Sequence, residues 1–176
     1  MFIHVIRASE AVLYVKRGEC HRIISQLPMR LALIAILASA VACTVIIEET
    51  QLRCDDCAEV RVSRVIDGDT FETASGRVRL FGVDTPEFGE RCASEATGRL
   101  NKLAGNSVRL EDGPRLTDQF GRRLAYVYTE GGLSIDETLV REGLATAWTG
   151  DGQHRDFLVG LEQEAKTRET GCLWSE

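Results

Sequence analysis

Short runs of alternating apolar and polar residues dominate the middle of the chain. Residues 65–87 read VIDGDTFETASGRVRLFGVDTPE and contain three such runs, at 65–66, 70–73 and 78–83. Alternation is typical of β-strands that bury one face. Asp-Gly and Ser-Gly pairs separate the runs, and glycine accepts the positive φ that tight hairpin turns need. The pattern therefore predicts three short paired strands.

The next segment of the chain has apolar residues at the spacing of a helix instead of a strand. Residues 94–104 have an apolar face at helical spacing, and Ser94 is the expected N-cap. Alternation returns at 107–111 and at 124–128, which predicts two more strands. Asp-Gly-Pro at 112–114 is expected to end the first of them, because proline cannot donate to a sheet ladder.

Two further helices are predicted near the C-terminus. Ser134 and Glu137 have the spacing of a capping box, which predicts a helix over 135–143. Residues 154–169 repeat apolar side chains at helical spacing, and Gly171 is the expected end of that helix. Five strands and three helices predict an α+β fold, although periodicity alone does not determine the topology.

The N-terminal part has the pattern of a secretory signal. Residues 31–41 are an apolar run that is too short to span a bilayer as a helix. Met29-Arg30 precedes the run, and the small residues Ala40-Val41-Ala42 end it, as at a cleavage site. We therefore expect residues 1–42 to be an extension and signal segment, with translation starting at Met29 as one possibility. The alternative is a buried core helix.

Six cysteines bear on the cellular compartment. Ala-Val-Ala-Cys resembles a bacterial lipoprotein cleavage box, in which Cys43 would carry a lipid that attaches the protein to the membrane. Ordinary cleavage with an unmodified Cys43 is the alternative. Lipidation would leave four cysteines in the exported chain, enough for two disulfides: Cys54, Cys57, Cys92 and Cys172. Cys54 and Cys57 could instead be half of a metal site, although no second CxxC completes it.

Candidate chemistry is concentrated in the first three strands. Pairing of these strands would bring four carboxylates, Asp67, Asp69, Asp84 and Glu87, close to Arg79. Hard oxygen ligands together with a guanidinium suit a Ca²⁺ or Mg²⁺ site that handles a phosphate. Each motif alone is more often a turn or a strand exit, because turns select Asp, Gly and Pro.

Further motifs make the assignment specific. The chain resembles the staphylococcal nuclease (thermonuclease) family through VIDGDT, RLFGVDTPE, TDQFGRRLAYVY, the helix at 135–143 and a closing GCLW. The resemblance covers roughly 60–174. It implies a five-stranded OB-fold β-barrel with about three helices, a scaffold often used for oligonucleotides. We assign this domain to 59–176, after a linker at 43–58.

The resemblance also implies a ligand set. Asp69 and Asp84 would be the direct carboxylate ligands of one Ca²⁺ ion. Thr85 would add its backbone carbonyl, and Asp67 would lie in the outer shell. Ca²⁺ tolerates such an irregular shell better than Mg²⁺ does.

Roles in catalysis follow from the same resemblance. Glu87 would position or deprotonate the attacking water, and Arg79 with Arg122 would clamp the scissile phosphate. Phe120 stands where the family often has tyrosine, so that ring stacking on a base remains without the hydroxyl. Trp148 lies near the position of a second stacking aromatic, and a core tryptophan is its alternative.

The pairing of the cysteines is implied by the resemblance as well. It places the start of the first helix near the end of the last one, so that Cys92 would pair with Cys172. Cys54 with Cys57 is the remaining pair. Disulfides are typical of exported proteins, and we expect a periplasmic, lipid-anchored or secreted bacterial protein.

The implied activity is a Ca²⁺-dependent nuclease that cuts DNA and RNA with little sequence preference. It would leave 3′-phosphate and 5′-hydroxyl ends, act as a monomer and prefer single strands. One alternative is a nucleic-acid- or partner-binding module that has lost catalysis, and another is a calcium-stabilised structural domain.

The net charge of the chain differs from the positive charge that a nucleic-acid substrate favours. Without residues 1–42 the net charge changes from −6 to −9, whereas proteins that bind nucleic acid by bulk attraction are normally basic. Binding of a polyanion must therefore depend on local contacts with the two arginines and a bound cation.

Overall fold

The computed structural model describes residues 52–175. The signal segment, the alternative start at Met29 and the candidate lipid site Cys43 lie outside the described residues. The strands are β1 (Ala58–Arg61), β2 (Arg64–Val65), β3 (Thr70–Thr73), β4 (Gly76–Leu80), β5 (Val83–Asp84), β6 (Ser107–Thr117), β7 (Arg123–Thr129) and β8 (Thr146–Ala147). The helices are α1 (Ala93–Ala104), α2 (Ile135–Arg141), α3 (Arg155–Thr167) and α4 (Gly171–Trp174).

Six strands form one curved sheet in the order β1-β6-β7-β4-β3-β2. All pairs are antiparallel except β4 with β7, which run parallel. The two edge strands, β1 and β2, are joined by Val62 and Ser63 alone. Two residues span at most about 7 Å beyond the strand ends, so the sheet must curl until its edges meet. The α+β class is confirmed, and the curled sheet is consistent with the expected OB-like barrel.

The helices cover the sheet and complete the core. Leu100 of α1, Leu139 of α2 and Leu158 of α3 are fully buried, and they belong to the same apolar cluster as Phe71 and Val127 of the sheet. The short strands β5 and β8 pair separately and connect the end of the β4 segment to the approach of α3. In the described part of the chain, no helix is long and apolar enough to cross a membrane.

The first helix begins differently from the prediction. Cys92, with φ 75°, occupies the N-cap position without a side-chain capping bond. Ser94 does not cap the helix, because its hydroxyl donates to Glu95 at 2.8 Å. The predicted cap was therefore wrong. The chain enters the helix through a cysteine that is disulfide-bonded to Cys172, a long-range constraint that local spacing does not reveal.

Strand β6 continues through the predicted break. The chain stays in the sheet from Ser107 to Thr117, and its register with β7 shifts between Asp112 and Thr117. A Cβ atom at Gly113 would come within 2.7 Å of the Phe81 ring. Glycine here therefore allows close packing on an aromatic ring, and the irregularity accommodates the following proline without ending the strand.

The C-terminal elements agree with their predictions only in part. Ser134 caps α2 by accepting the amide of Glu137 at 3.1 Å. The Glu137 carboxylate does not complete the predicted box, since it accepts the amide of Leu52 at 2.6 Å instead. Gly171 begins α4 and does not end α3, whose C-cap is Arg168.

Two disulfides join described residues. Cys54 pairs with Cys57 and Cys92 pairs with Cys172, the same pairs that the family resemblance implies. The second bond connects the start of α1 to α4, and its cysteines have a sequence separation of 80. It therefore ties the C-terminus to the segment that follows the candidate site.

Candidate active site

An ion-pair cluster forms where β3, β4 and β5 meet. Arg79 lies opposite Thr70 in the β3–β4 ladder, which places it beside Asp69. Its two terminal nitrogens contact different carboxylates, Asp69 Oδ2 and Asp84 Oδ1, the latter at 2.5 Å. Asp69 is only 5% exposed, whereas the Asp84 side chain is 57% exposed. The cluster therefore has a buried inner carboxylate and an outer one that faces solvent.

Buried hydroxyl groups orient the inner carboxylate. Thr70 Oγ1 donates to Asp69 Oδ1 at 2.9 Å. The amide and the hydroxyl of Thr85 both donate to Asp69 Oδ2, at 3.2 and 3.1 Å. A Cβ at Gly68 would lie 2.6 Å from Thr85 Oγ1, so the preceding turn needs glycine for this approach. The side chain of Thr85 thus positions Asp69, a role beyond the carbonyl predicted for it.

Asp67 lies at the inner end of the same turn. Its Oδ1 accepts the amide of Asp69 at 3.1 Å. Burial, and then the charge of Asp69, raise the pKa of Asp67 above its ordinary value. Two neighbouring carboxylates that disfavour each other's charge are an arrangement that a cation would stabilise.

The donor atoms suit a hard cation. Two carboxylates meet at Arg79, and the carbonyl of Thr85 is the third predicted oxygen. Within residues 52–175, no group of three or more His, Cys, Asp or Glu side chains is placed to hold a metal ion. Carboxylate and carbonyl oxygens are of the type that hard cations prefer, and such cations can complete their shells with water.

Arg122 belongs to the same site through a hydroxyl. Its Nη1 donates to Thr70 Oγ1 at 3.2 Å, and the Thr70 hydroxyl donates in turn to Asp69. Its Nε donates to Asp118 Oδ2 at 2.7 Å. Although burial opposes ionisation, the hydrogen bonds from Arg122 lower the pKa of Asp118. Asp118 is therefore an ionised partner that holds the guanidinium.

A cavity of about 310 Å³ extends from the two arginines. Phe120 and Trp148 line it, and the Arg122 guanidinium lies 5.5 Å from the centre of the Phe120 ring. Both rings are substantially exposed. The predicted stacking residues are thus beside the predicted phosphate clamp, which is the arrangement that a nucleotide requires.

A second ion pair stabilises the far wall of this cavity. Arg115 donates to Asp151 through two nitrogens, at 2.7 and 2.9 Å. Trp148 Nε1 donates to the same carboxylate at 2.9 Å. Arg115 also lies over the Trp148 ring. Neither Arg115 nor Asp151 was predicted, because 36 residues separate them and each is an ordinary surface charge in sequence.

Glu87 follows Thr85 by two residues in the chain. It is exposed at the start of a tight turn, in which its amide donates to Glu90 Oε2 at 2.8 Å. Among the described residues, no hydrogen bond or ion pair engages its carboxylate. The structure thus brings together Asp69, Asp84, Thr85, Arg79 and Arg122. The Glu87 carboxylate is exposed to solvent.

Comparison with known proteins is consistent with this chemistry. Residues 77–176 match the family model described as staphylococcal nuclease homologue. A protein of Escherichia coli O157:H7 named as an uncharacterized endonuclease is 34% identical over 128 residues, which cover 68% of this chain and 80% of that relative. A micrococcal nuclease of Shigella flexneri is 33% identical over 162 residues, which cover 84% of this chain and 90% of that relative. Endonuclease YncB of Bacillus subtilis is 36% identical over 132 residues, 66% of this chain and 62% of its own length.

Proposed function

Because the chain belongs to the staphylococcal nuclease family and is a hydrolase of phosphodiester bonds in nucleic acids, we propose that it is a Ca²⁺-dependent nuclease of DNA and RNA. It cuts with little sequence preference and leaves 3′-phosphate and 5′-hydroxyl ends. The single observation that carries the proposal is the cluster in which Arg79 joins Asp69 to Asp84, with Arg122 attached through Thr70.

The two arginines bind the scissile phosphate. Arg79 is mostly buried and Arg122 is half-buried, and both line the cavity that Phe120 and Trp148 share. Guanidinium groups donate paired hydrogen bonds to phosphate oxygens, and they stabilise the negative charge that grows in the transition state. Asp118 and Thr70 orient Arg122, so little reorganisation is needed when the substrate arrives.

The carboxylates have the two remaining roles, which are to bind the cation and to position the attacking water. Asp69, Asp84 and the Thr85 carbonyl would hold Ca²⁺, with Asp67 behind them, and the ion supplies positive charge next to the phosphate when it is bound. Glu87 accepts a hydrogen bond from the attacking water and aligns it with the phosphorus atom. An exposed carboxylate suits that role, because water must reach it from solvent.

Export is part of the proposal. The apolar run at 31–41 and the small residues before Cys43 support it from the sequence. Two disulfides within residues 52–175 support it independently, because disulfides persist in oxidising compartments. Attachment through a lipid on Cys43 would then keep the nuclease at the cell envelope.

Digestion of single-stranded DNA by the protein tests the proposal, with Ca²⁺, with Mg²⁺ and with chelator. Cleavage is expected with Ca²⁺ only. Glu87→Ala should slow it by on the order of 100-fold or more, while Glu164→Ala, an exposed glutamate on α3, should leave the rate unchanged. Equal rates in chelator would contradict the Ca²⁺ requirement. An unchanged rate in Glu87→Ala would remove Glu87 from the mechanism.

A further inference from the structure

A second cavity, of about 740 Å³, lies beside the chain segment that contains Glu87. Its lining includes Pro86 and Phe88, the two neighbours of Glu87 in the chain, and Asp67 at the inner end of the carboxylate turn. The opposite wall is the face of α1 that carries Ala93, Thr97 and Gly98. Asp67 therefore borders both this cavity and the carboxylate cluster, and no role in the proposed mechanism uses the cavity itself.

This cavity and the arginine-lined cavity have no lining residue in common. The arginine-lined one contains Arg79 and Arg122, where the scissile phosphate is proposed to bind. The larger one begins at the residues that flank Glu87. A phosphodiester has a nucleoside on each side of its phosphate, and two separate cavities that border the cluster offer room for one base each.

The chemistry of the larger cavity favours a base over a phosphate. The Phe88 ring is 100% exposed, and the small side chains of α1 leave a shallow apolar floor beneath it. Asp67 and Glu90 at the edge would repel a phosphate. Every base presents a π-face, so that an exposed ring next to an apolar floor binds bases without reading their identity.

We propose that this cavity binds the nucleobase on the opposite side of the scissile phosphate from the base that Phe120 and Trp148 contact. Phe88 stacks on that base, and the α1 face at Ala93 and Thr97 receives its other side. The proposal rests on the proposed nuclease function and adds a second base subsite to it. The enzyme would thus hold a dinucleotide across the bond that it cuts.

Gly98 allows the cavity to be filled without disturbing the fold. A Cβ atom at Gly98 would meet no other atom within 4 Å, so a leucine there projects into open space above α1. Gly160 on α3 is the matched control, because it is also helical and its Cβ would also meet nothing within 4 Å. Leucine is a better helix former than glycine, and both variants should therefore keep or raise stability.

The substrates are short single-stranded DNAs with one cleavable phosphodiester, all other linkages being methylphosphonates. Three versions are compared with Ca²⁺ present: both bases at the cleavable linkage, an abasic unit on its 5′ side, and an abasic unit on its 3′ side. In the unaltered protein, loss of the base that this cavity holds should lower kcat/KM by about 10-fold. Gly98→Leu should lower kcat/KM on the complete substrate by a similar factor. On the abasic substrate that lacks the base held by this cavity, Gly98→Leu should leave kcat/KM unchanged.

Gly160→Leu should match the unaltered protein on all three substrates. Phe88→Ala is a second test, because it removes the ring without filling the space, and it should show the same selective loss. Wild-type rates in Gly98→Leu on the complete substrate would overturn the subsite. Equal losses on all three substrates would also overturn it, because they would indicate a disturbed phosphate site. No cleavage by the unaltered protein would instead contradict the proposed function on which the subsite rests.

Discussion

Asp118 holds Arg122 through both of its carboxylate oxygens. Oδ1 accepts the backbone amide of Arg122 at 2.9 Å, and Oδ2 accepts its Nε at 2.7 Å. Oδ1 also accepts the amide of Phe120 at 2.9 Å. One carboxylate therefore shapes the turn and aims the guanidinium that the turn presents.

Loss of this carboxylate should impair catalysis while the fold survives. Asp118→Ala frees the Arg122 side chain, and a displacement of about 1 Å at a catalytic group can cost about 100-fold in rate. The kcat/KM for single-stranded DNA is the measurement. Asp112→Ala is the matched control, because it breaks the neighbouring exposed pair with Arg123 and should leave the rate unchanged. Similar rates in both variants would show that Asp118 is a turn residue only.

Asp151 should act on substrate affinity. It accepts hydrogen bonds from Arg115 and Trp148, and these contacts, from Arg115 first, lower its pKa to about 2. Asp151→Ala would release the Trp148 ring and should raise KM by about 10-fold, with a smaller effect on kcat.

The pH dependence of this effect follows from the low pKa. Asp151 is ionised throughout the range above about pH 4, so that the KM increase should be constant across it. Asp156→Ala, which breaks an exposed pair with Arg155, is the control and should leave KM unchanged. A loss in kcat at unchanged KM would contradict the positioning role.

The hairpin of β3 and β4, and the part of the site that it carries, were predictable because their signals are local. Alternating runs and Asp-Gly turns predicted β3 and β4, and pairing of these strands brought Arg79 to Asp69. Ser134 was predictable as a cap for the same reason, since its partner is three residues away.

Contacts between residues that are distant in sequence were not predictable from local patterns, and the Cys92–Cys172 pair was predicted through the family resemblance alone. Thr70 connects Asp69 to Arg122 across 52 residues, a contact that exists only after β4 pairs with β7. Cys92, and not Ser94, is the N-cap of α1, and its disulfide partner Cys172 is 80 positions away in the sequence. The larger cavity depends on the distance between α1 and the turn after Pro86, and no residue pattern in the sequence predicts that distance.

The two disulfides should contribute unequally to stability. In the chain-entropy model, the Cys92–Cys172 bond, with a sequence separation of 80, is worth about 4.5 kcal/mol, and a four-residue loop is worth about 2 kcal/mol. The double variant Cys92→Ala/Cys172→Ala should therefore lose more free energy of unfolding than Cys54→Ala/Cys57→Ala, as measured by urea denaturation. An equal or larger loss from the short loop would contradict the entropic account.

Asp136 should make stability depend on pH. It is fully buried, and its two oxygens accept the amides of Gly82 and Val127, each at 2.9 Å. Burial raises its pKa from 3.8 to about 6, against the opposing effect of these hydrogen bonds and of the charge on His154. The folded protein therefore binds this proton more tightly than the unfolded chain does.

The sign of the effect follows from that difference. The contribution of Asp136 to stability is fully present below about pH 4, declines as the pH rises to about 6 and is constant above it. Asp136→Asn removes the titration, so the free energy of unfolding of the unaltered protein minus that of the variant should fall by on the order of 3 kcal/mol between pH 4 and pH 7. A difference that grows with pH would show that the two amide hydrogen bonds outweigh burial and that the pKa of Asp136 is lowered.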